Sequence, residues 1–339
     1  MKIFVTGGAG YIGSHTCVEL LSHGYEIVAY DNLSNSSCES LKRVEKITGK
    51  PLKLVIGDIR DEKAMREAMR GCEAVIHFAG LKSLEESVRK PLEYYDNNVH
   101  GTISLLRAMT KEDIKTLIFS SSAAVYGKPE QLPITEKHPL RTTNPYGQTK
   151  LVIEEILRDL YKSDTHWKIM ILRYFNPVGA HESGLIGEDP QGIPNNLMPY
   201  IAQVAAGVRK TLNVWGDDYD TPDGTGVRDY IHVTDLADGH LKALQYLSEP
   251  QCTALNLGTG LGYSVLEVIK AFEKASGREV SYRIEKRRAG DIAACYADPS
   301  LAKTLMGWKA SRDLERMCKD EWNFQSKNPQ GYKNTVCTI

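Results

Sequence analysis

The chain has 339 residues, of which 42% are hydrophobic, and its 42 basic and 43 acidic side chains leave a net charge of −1. This length can hold one large domain or two ordinary ones, and the balanced charge argues against a nucleic-acid partner. No apolar run approaches the roughly 18 residues of a membrane span, and the N-terminal segment lacks the pattern of a signal peptide. The seven cysteines are scattered without a C-x-x-C pair, so we expect reduced thiols, a cytoplasmic location and no metal site.

Strand-like and helix-like segments alternate through the first half of the chain. Short apolar runs predict strands over 2–6, 26–30, 53–56, 74–77, 116–120 and 168–172. Helical patterns lie between them, among them 11–21, 62–69, 99–109 and 146–161. This alternation predicts an α/β fold with a doubly wound parallel sheet, in which ligands bind beyond the carboxyl ends of the strands.

Gly7, Gly10 and Gly13 form the turn between the first predicted strand and the first helix. A turn without Cβ atoms lets the backbone approach a pyrophosphate closely, and the N–H groups at the start of the helix point at that anion. Asp31 closes the next strand, where a carboxylate accepts hydrogen bonds from a ribose 2′-hydroxyl and repels a 2′-phosphate. The pattern predicts a Rossmann-type domain that binds NAD in preference to NADP.

A second constellation combines Tyr146, Lys150 and Ser122. Pro145 can occupy the first position of a helix, so Tyr146 and Lys150 would lie near its start. Their spacing of four residues puts them on one helix face, with Cβ atoms about 5–6 Å apart. An ammonium at that distance lowers the pKa of the tyrosine and favours a phenolate base. Tyr282 and Lys286 show the same spacing within a strand pattern, where four residues span about 13 Å. Ser122 ends an apolar strand run, so its hydroxyl could share a proton with Tyr146 and a substrate.

The composition changes after Asn176. Residues 179–199 are rich in Gly, Pro and Asn, which predicts a long ordered loop and a domain boundary near it. We expect an NAD-binding domain over 1–176 and a smaller α/β substrate-binding lobe over 177–339. A strand over 227–232 and a helix over 234–247 are expected to return to the first domain.

Long strings in the chain are more specific than the glycine turn. They are His77-Phe78-Ala79-Gly80-Leu81-Lys82, residues 90–98, Arg173-Tyr174-Phe175-Asn176-Pro177, Asn195-Asn196-Leu197-Met198-Pro199 and Gly226-Val227-Arg228-Asp229-Tyr230. With these strings the chain resembles the extended short-chain dehydrogenase/reductase superfamily and, within it, the UDP-glucose/UDP-galactose 4-epimerases. The resemblance runs nearly end to end.

The resemblance implies a redox-neutral reaction on a UDP-sugar. Tyr146 would take the proton of the sugar 4-hydroxyl while hydride passes from C4 to a tightly bound NAD. The 4-keto sugar would rotate and receive hydride and proton on its other face, which inverts C4. Lys150 would bind the nicotinamide ribose, and Ser122 would assist proton transfer.

The resemblance also implies binding residues. Cofactor contacts are expected from Gly7, Gly10, Tyr11, Ile12, Gly13, Asp31, Asn32, Leu33, Ser34, Asn35, Ser36, Asp58, Ile59, Phe78, Ala79, Gly80, Leu81, Lys82, Asn97, Ser122, Tyr146, Lys150 and Phe175. Substrate contacts are expected from Lys82, Ser122, Tyr146, Asn176, Asn196, Leu197, Asn213, Val214, Trp215, Arg228, Arg288, Asp291 and Cys295. Relatives pair through helices that correspond to 99–109 and 146–161, so a homodimer is also expected.

The resemblance places Cys295 at the wall position near the sugar 2-substituent. Epimerases restricted to UDP-glucose and UDP-galactose tend to carry Tyr there, and those that accept N-acetylhexosamines carry a smaller residue. We therefore expect activity on UDP-GlcNAc and UDP-GalNAc as well. A buried cysteine without effect on selectivity is the alternative.

Three other functions remain open at the level of the sequence. A nucleotide-sugar dehydratase of the same superfamily needs an Asp-Glu pair after the active-site hydroxyl, and Ser122 is followed by Ala123-Ala124. A dehydrogenase that releases NADH is the second. A non-enzymatic NAD-binding regulator is the third, although such proteins commonly lose the tyrosine or the lysine.

Overall fold

The structure, a computed structural model, describes residues 1–190, 192–288 and 290–332. Its strands are β1 (Lys2–Thr6), β2 (Glu26–Asp31), β3 (Lys53–Ile56), β4 (Ala74–His77), β5 (Thr116–Ser122), β6 (Lys168–Tyr174), β7 (Asn176–Val178), β8 (Leu212–Trp215), β9 (Val227–Arg228), β10 (Tyr230–His232), β11 (Gln251–Leu257), β12 (Tyr263–Ser264), β13 (Tyr282–Glu285) and β14 (Ala294–Cys295). Its α-helices are α1 (Tyr11–Ser22), α2 (Cys38–Thr48), α3 (Glu62–Ala68), α4 (Leu84–Arg89), α5 (Pro91–Tyr94), α6 (Gly101–Lys111), α7 (Pro145–Ser163), α8 (Leu197–Ala205), α9 (Val233–Tyr246), α10 (Val265–Ser276), α11 (Ser300–Met306) and α12 (Leu314–Lys327). A π-helical turn (Tyr95–His100) precedes α6, and a 3₁₀ turn (Ala123–Val125) follows β5.

Seven parallel strands form the central sheet in the order β11-β6-β5-β4-β1-β2-β3. The chain order reverses between β1 and β4, which opens a crevice beyond the carboxyl ends of these two strands. The inner strands β1, β2, β4, β5 and β6 are buried on both faces, as parallel strands covered by helices must be, whereas the edge strand β3 is partly exposed. The predicted α/β fold of Rossmann type is confirmed.

Successive side chains along a strand pack alternately into two separate hydrophobic layers, one on each face of the sheet. In β1, Ile3 and Val5 pack with α1, α2 and α9, whereas Phe4 packs with α3, α6 and α7. The alternation follows from the two-residue period of a strand. A third cluster lies in the second half of the chain, where α8, α10 and α12 pack together.

Elements of the second half return to the sheet. Helix α9 packs on α1, and β11 pairs with β6 at the sheet edge. The strand at 251–257 is absent from the sequence prediction, because its mixed polar and apolar residues resemble a loop. The division of the chain at residue 176 stays a prediction.

One predicted strand is in fact two. Residues 227–232 were expected to form a single strand, but β9 pairs with β12 and β14, and β10 pairs with β7. The break falls at Asp229, a fully buried residue. Its carboxylate accepts hydrogen bonds from the backbone of Thr259, Gly260 and Ala297. The Asp229 backbone belongs to both pairings, since its N–H donates to the carbonyl of Cys295 and its carbonyl accepts from the N–H of Asn176.

The cysteines differ in part from the expectation. Cys17, Cys72, Cys252, Cys295 and Cys318 are free thiols. Cys38 is disulfide-bonded, so the expectation that every cysteine is reduced is wrong at that position, and Cys337 lies outside the described residues. Within the described ranges, no helix has the length and apolar character needed to cross a membrane.

A buried ion pair fixes α7 against the sheet. The Arg173 guanidinium at the end of β6 donates to both carboxylate oxygens of Glu154 on α7, at 2.9 and 2.6 Å. Ser121 on β5 also donates to Glu154, at 2.6 Å, and Arg173 donates to the hydroxyl of Tyr126. Burial would raise the pKa of Glu154, but these donors hold it below the ordinary value. The helix is therefore anchored where β5 and β6 end.

Arg173→Met is expected to lower the free energy of unfolding by about 3–5 kcal/mol, because it leaves an uncompensated buried carboxylate. Urea unfolding at neutral pH measures the change. The matched control is Arg158→Met, since Arg158 donates to the same carboxylate oxygen from a partly exposed position. The control should cost less than about 1 kcal/mol. Equal losses in the two variants would contradict the role assigned to the buried pair.

Candidate active site

The glycine turn forms a close-packed cradle at the carboxyl end of β1. Gly7 has φ +70°, and a Cβ there would lie 2.7 Å from the backbone nitrogen of Ala79. A Cβ on Gly13 would collide with the carbonyl oxygen of Gly7. Gly10 caps α1 without a side-chain hydrogen bond. No side chain therefore competes for the first N–H groups of α1, which include those of Tyr11 and Ile12, and an anion can be bound there.

Asp31 organises the loop that follows β2. Its carboxylate accepts hydrogen bonds from the N–H of Ala9 at 3.0 Å, the N–H of Leu33 at 2.9 Å and the hydroxyl of Ser36 at 2.8 Å. Burial raises the pKa of Asp31, and the three donors oppose that rise. Leu33 has φ +58°, so this loop is held in a specific shape. Asp31 is thus placed at the end of β2, close to the glycine turn through Ala9.

The rest of this loop leads to Asp58. Asn32 accepts a hydrogen bond from the N–H of Ser34 and donates to Asp58 at 3.3 Å. Arg60 donates to both oxygens of Asp58, at 2.8 Å each, and hydrogen bonds from Arg60 lower the pKa of the carboxyl against the effect of burial. Ile59 is buried. Sequence reasoning missed Arg60, whose only signal is its place two residues after Asp58.

The segment after β4 faces the glycine turn and is held by a residue that sequence reasoning missed. Asn98, buried in the π-helical turn, accepts from the N–H of Leu81 at 2.8 Å and donates to its carbonyl at 3.0 Å. Asn97 donates to the Asn98 side chain, and Asn98 donates to Thr149 on α7. A Cβ on Gly80 would lie 3.2 Å from the Asn98 oxygen. Short π-helical turns occur frequently at functional sites.

Tyr146 and Lys150 lie on the face of α7 that points to the ends of the strands. Asn144 caps this helix by accepting the N–H of Gly147, and Pro145 occupies its first position. Ser122 lies close enough to Tyr146 to lower the pKa of its hydroxyl against the effect of burial. The predicted Tyr146, Lys150 and Ser122 constellation is therefore assembled at the crevice, whereas Tyr282 lies in strand β13.

The electrostatics differ from the expectation at one point. Burial raises the pKa of Tyr146, and the opposing influences are the Ser122 hydrogen bond and the charge of Lys82, not that of Lys150. The Lys150 ammonium donates to the carbonyl of Ser120 at 2.7 Å and lies over the Phe119 ring. Burial lowers the pKa of Lys150 to about 8. The expected lowering of the Tyr146 pKa by Lys150 is not met: the pKa lies above its ordinary value, and the cation that opposes the rise is Lys82.

Arg228 and Cys295 are neighbours across the β9–β14 pair. Arg228 donates to the carbonyl of Val227 at 2.8 Å. Cys295 is buried in a cluster with Phe175, and burial raises the pKa of its thiol to about 11. Asn176 donates its N–H to the carbonyl of Asp229, which ties β7 to this edge. Four predicted residues thus lie around one small sheet.

Trp215, Arg288 and Asp291 form a second group. The Arg288 guanidinium lies 5.7 Å from the Trp215 ring centroid and 3.0 Å from the Asp291 carboxylate. Trp215 is exposed, whereas the Val214 side chain is buried in the core of the second half. Val214 can therefore offer a ligand only its backbone. Asn213 accepts a hydrogen bond from Arg283.

Asn196 precedes α8 but does not cap it. Its side chain makes no hydrogen bond to the first turn and donates to Glu188 at 2.7 Å. The N–H groups at the start of α8, including that of Leu197, are left without a side-chain cap. Free N–H groups at the start of a helix suit an anion. No group of His, Cys, Asp and Glu within the described ranges could hold a metal ion.

The residues at the crevice fit NAD. The glycine cradle and the uncapped start of α1 suit a pyrophosphate, and the buried Asp31 carboxylate suits a ribose with a free 2′-hydroxyl. Tyr146 and Lys150 lie across the same crevice. The fold and the site define an NAD-dependent enzyme of the Rossmann class.

Comparison with known proteins gives a family. The profile of the NAD dependent epimerase/dehydratase family matches residues 3–258, and the chain belongs to this family. It is 62% identical to a UDP-glucose 4-epimerase of Bacillus subtilis over 98% of this chain and 99% of the relative.

Solved structures agree with this placement. The UDP-glucose 4-epimerase of Bifidobacterium longum, in complex with NAD+ and UDP, superposes with a TM-score of 0.96 at 57% identity, covering 98% of this chain and 100% of the other. The UDP-Glc/GlcNAc 4-epimerase of Campylobacter jejuni gives a TM-score of 0.83 at 38% identity, covering 96% and 99%.

Gly13→Ala is expected to weaken NAD binding at least about tenfold, or about 1.4 kcal/mol, because the new Cβ forces the turn open. Calorimetric titration of NAD into protein freed of cofactor measures the loss. Gly24→Ala is the control, since a Cβ there meets nothing within 4 Å although φ is +85°. The control should cost about 1–2 kcal/mol of stability through backbone strain and leave NAD affinity unchanged. Unchanged NAD affinity in Gly13→Ala would contradict the claim that the close-packed glycine turn binds the cofactor.

Proposed function

We propose that the protein is an NAD-dependent UDP-hexose 4-epimerase that interconverts UDP-glucose and UDP-galactose. The observation that carries the proposal is the placement of Tyr146 and Ser122 close together at the crevice that the glycine turn and Asp31 prepare for NAD. Near full-length similarity to UDP-glucose 4-epimerases supports the same activity.

The residues divide the work as follows. Tyr146 takes the proton of the sugar 4-hydroxyl and returns it, and Ser122 holds both oxygens in line. Lys82 favours the phenolate, and Lys150 binds the nicotinamide ribose. NAD, when bound, supplies a reversible acceptor for the hydrogen at C4. Arg228 and Arg288 bind the diphosphate, because the planar guanidinium matches phosphate oxygens.

The uridine end is held by the second half of the chain. Trp215 offers an exposed ring for the uracil, and Asp291 accepts the ribose hydroxyls once Arg288 turns to phosphate. The uncapped first turn of α8 gives further N–H donors to the diphosphate. A sugar held only through its diphosphate is free to rotate, which the inversion of C4 requires.

A dehydratase fits the site less well. Ser122 is followed by the apolar 3₁₀ turn of Ala123–Val125, and its oxygen accepts the N–H of Ala124 at 3.1 Å. Elimination of water needs an acid and a base near the reacting carbons, and this turn supplies no carboxylate. The arrangement supports epimerisation instead.

Product analysis by NMR tests the proposal directly. Purified protein incubated with UDP-galactose, with and without added NAD, is expected to form UDP-glucose and to release no NADH. Tyr146→Phe should lower kcat by about 10²–10⁴-fold, because the general base is lost, while the amount of bound NAD stays the same. Formation of a 4-keto-6-deoxy product would favour the dehydratase, net NADH the dehydrogenase, and bound NAD without turnover the regulator.

A wider substrate range is the finer part of the proposal. Cys295 lies beside Phe175 and across from Arg228, and its side chain is shorter than a tyrosine by an entire ring. We infer that the shorter side chain leaves room for an acetamido group at the sugar 2-position. The similarity to a UDP-Glc/GlcNAc 4-epimerase is in keeping with this. We therefore include UDP-GlcNAc and UDP-GalNAc among the substrates.

Cys295→Tyr is expected to lower kcat/KM for UDP-GalNAc about 10- to 100-fold, as overpacking of about 1–3 kcal/mol predicts. Its kcat/KM for UDP-galactose should change less than threefold. Cys295→Ser is the control that keeps the volume, and it should retain both activities. Initial rates with UDP-GalNAc and UDP-galactose measure both values of kcat/KM. Undiminished UDP-GalNAc turnover in Cys295→Tyr would contradict the proposal that residue 295 limits the size of the sugar 2-substituent.

A homodimer is also part of the proposal. Exposed apolar side chains, Leu84, Val88, Leu92 and Tyr95, gather on α4, α5 and the π-helical turn beside α6, and α4 and α5 pack against α7. Such a patch is typical of a surface that a second copy covers. Sedimentation equilibrium would show about twice the chain mass. The cytoplasmic location stays a prediction.

A further inference from the structure

The loop between β7 and α8 carries a buried carboxylate that none of the roles above uses. Glu188 lies in this loop, and its backbone is clamped on both sides. Gly187 donates its N–H to the Tyr332 hydroxyl at 3.0 Å, and the Tyr332 N–H donates to Asp189 at 2.7 Å. A Cβ on Gly187 would collide with the Phe324 ring on α12. The position of Glu188 is therefore fixed by α12 and the segment that follows it.

One oxygen of Glu188 joins the two halves of the site. Its Oε1 accepts hydrogen bonds from the Lys82 ammonium at 2.8 Å and from the Asn196 amide at 2.7 Å. The Glu188 side chain is 6% exposed, whereas that of Lys82 is 50% exposed. A carboxylate this buried is tolerated only with strong donors, and the two bonds supply them. Lys82 follows β4 on the cofactor side, and Asn196 precedes α8 on the substrate side.

Each partner has a position that depends on Glu188. The Asn196 amide donates one proton to Glu188, and its oxygen makes no hydrogen bond to the first turn of α8. The amide nitrogen carries a second proton that can be donated to a ligand. Lys82 has a long flexible side chain that would otherwise move through solvent. The bond to Glu188 holds its charge near Tyr146.

We propose that Glu188 is a positioning residue of the reaction, which holds Lys82 beside the base Tyr146 and aims the Asn196 amide at the diphosphate. The inference rests on the proposed epimerase function and deepens it. Glu188 touches neither reacting atom nor cofactor. Its carboxylate also offsets part of the Lys82 charge, so it sets how strongly Lys82 favours the phenolate.

Titratable and polar groups from several elements face this carboxylate. Of these groups only Lys82 carries a charge that faces Glu188. The others are the Asn196 amide and two ionisable side chains, Glu321 on α12 and Tyr11 on α1. Burial and the charge of Glu188 raise the pKa of Glu321 well above its ordinary value. Burial likewise raises the pKa of Tyr11, with Glu321 and Glu188 adding to the rise. Glu321 and Tyr11 are therefore held toward their neutral forms.

The groups that face Tyr146 set the direction of the expected change. Ser122 and Lys82 act on Tyr146 directly, Tyr174 lies close enough to interact with it, and Lys150 follows one turn along α7. Glu188→Gln keeps the shape of the side chain and an acceptor oxygen but removes the negative charge. The Lys82 ammonium then acts on the phenolate with less compensation, so the pKa of Tyr146 falls.

The first measurement is a set of pH profiles. In Glu188→Gln the acidic limb of kcat should move to lower pH by about 0.5 to 1 unit. In Lys82→Gln it should move to higher pH. Adding Glu188→Gln to Lys82→Gln should produce a clearly smaller shift, because the part of the effect that depends on the Lys82 ammonium is already lost. Glu321→Gln is the matched control, a neighbouring buried carboxyl without a bond to Lys82, and it should leave the limb in place.

The second measurement does not depend on activity. The Tyr146 resonance of protein labelled with 13C at tyrosine Cζ, assigned with Tyr146→Phe, should titrate at lower pH in Glu188→Gln. Calorimetry should show UDP affinity reduced about 3- to 10-fold in Glu188→Ala. No further loss is expected when Glu188→Ala is added to Asn196→Ala.

The proposal would be overturned if, in a normally folded Glu188→Gln variant, the acidic limb of kcat and the titration of the Tyr146 resonance stayed in place or moved to higher pH. Thermal unfolding shows whether the variant is normally folded. A shift of undiminished size in the Lys82→Gln background would overturn the proposal as well. If the wild-type protein failed to interconvert UDP-sugars, the proposed function would fall, and the NMR titration and UDP binding would still decide the role of Glu188.

Discussion

The buried ion pair between Glu154 and Arg173 is the interaction on which the site depends. Helix α7 presents Tyr146, Lys150 and Glu154 at intervals of four residues, so the three side chains form one stripe. Because Arg173 and Ser121 fix the last member of the stripe to the ends of β6 and β5, the first two are fixed as well. A charge pair in a nearly dry interior tolerates little displacement, which gives the helix a defined register.

The same pair makes the buried Lys150 tolerable. Burial disfavours its charged form and lowers its pKa to about 8, and the charge of Glu154 opposes that effect. The carbonyl of Ser120 takes one ammonium proton. The ammonium is thus held by strand and helix together, before any ligand is considered. The Lys150 ammonium is therefore already in a fixed position and could donate a hydrogen bond to a ribose hydroxyl without being ordered on binding.

Buried carboxylates serve as the fixed points of the loops around this core. Asp31 collects donors from the glycine turn and from the loop after β2, and Asp229 collects donors from 259–260 and Ala297. Glu188 binds Lys82 and Asn196. Without its buried carboxylate each loop would lose hydrogen bonds that hold its shape. The N–H and carbonyl groups of irregular backbone have no regular helix or sheet partners, so side chains must bind them. Charge-assisted bonds hold these loops in a ready shape.

The amino-acid sequence by itself determined the parallel sheet, the glycine turn, Asp31 and the helical spacing of Tyr146 and Lys150. These features are local, since strand period, turn chemistry and helix spacing extend over a few residues. Only the tertiary structure decided that Asn98 holds Leu81, that residue 229 splits a strand and that Lys82, not Lys150, acts on Tyr146. Lys82 and Glu188 are 106 positions apart in the chain. Such contacts depend on how whole elements pack, and no short pattern of residues encodes that distance.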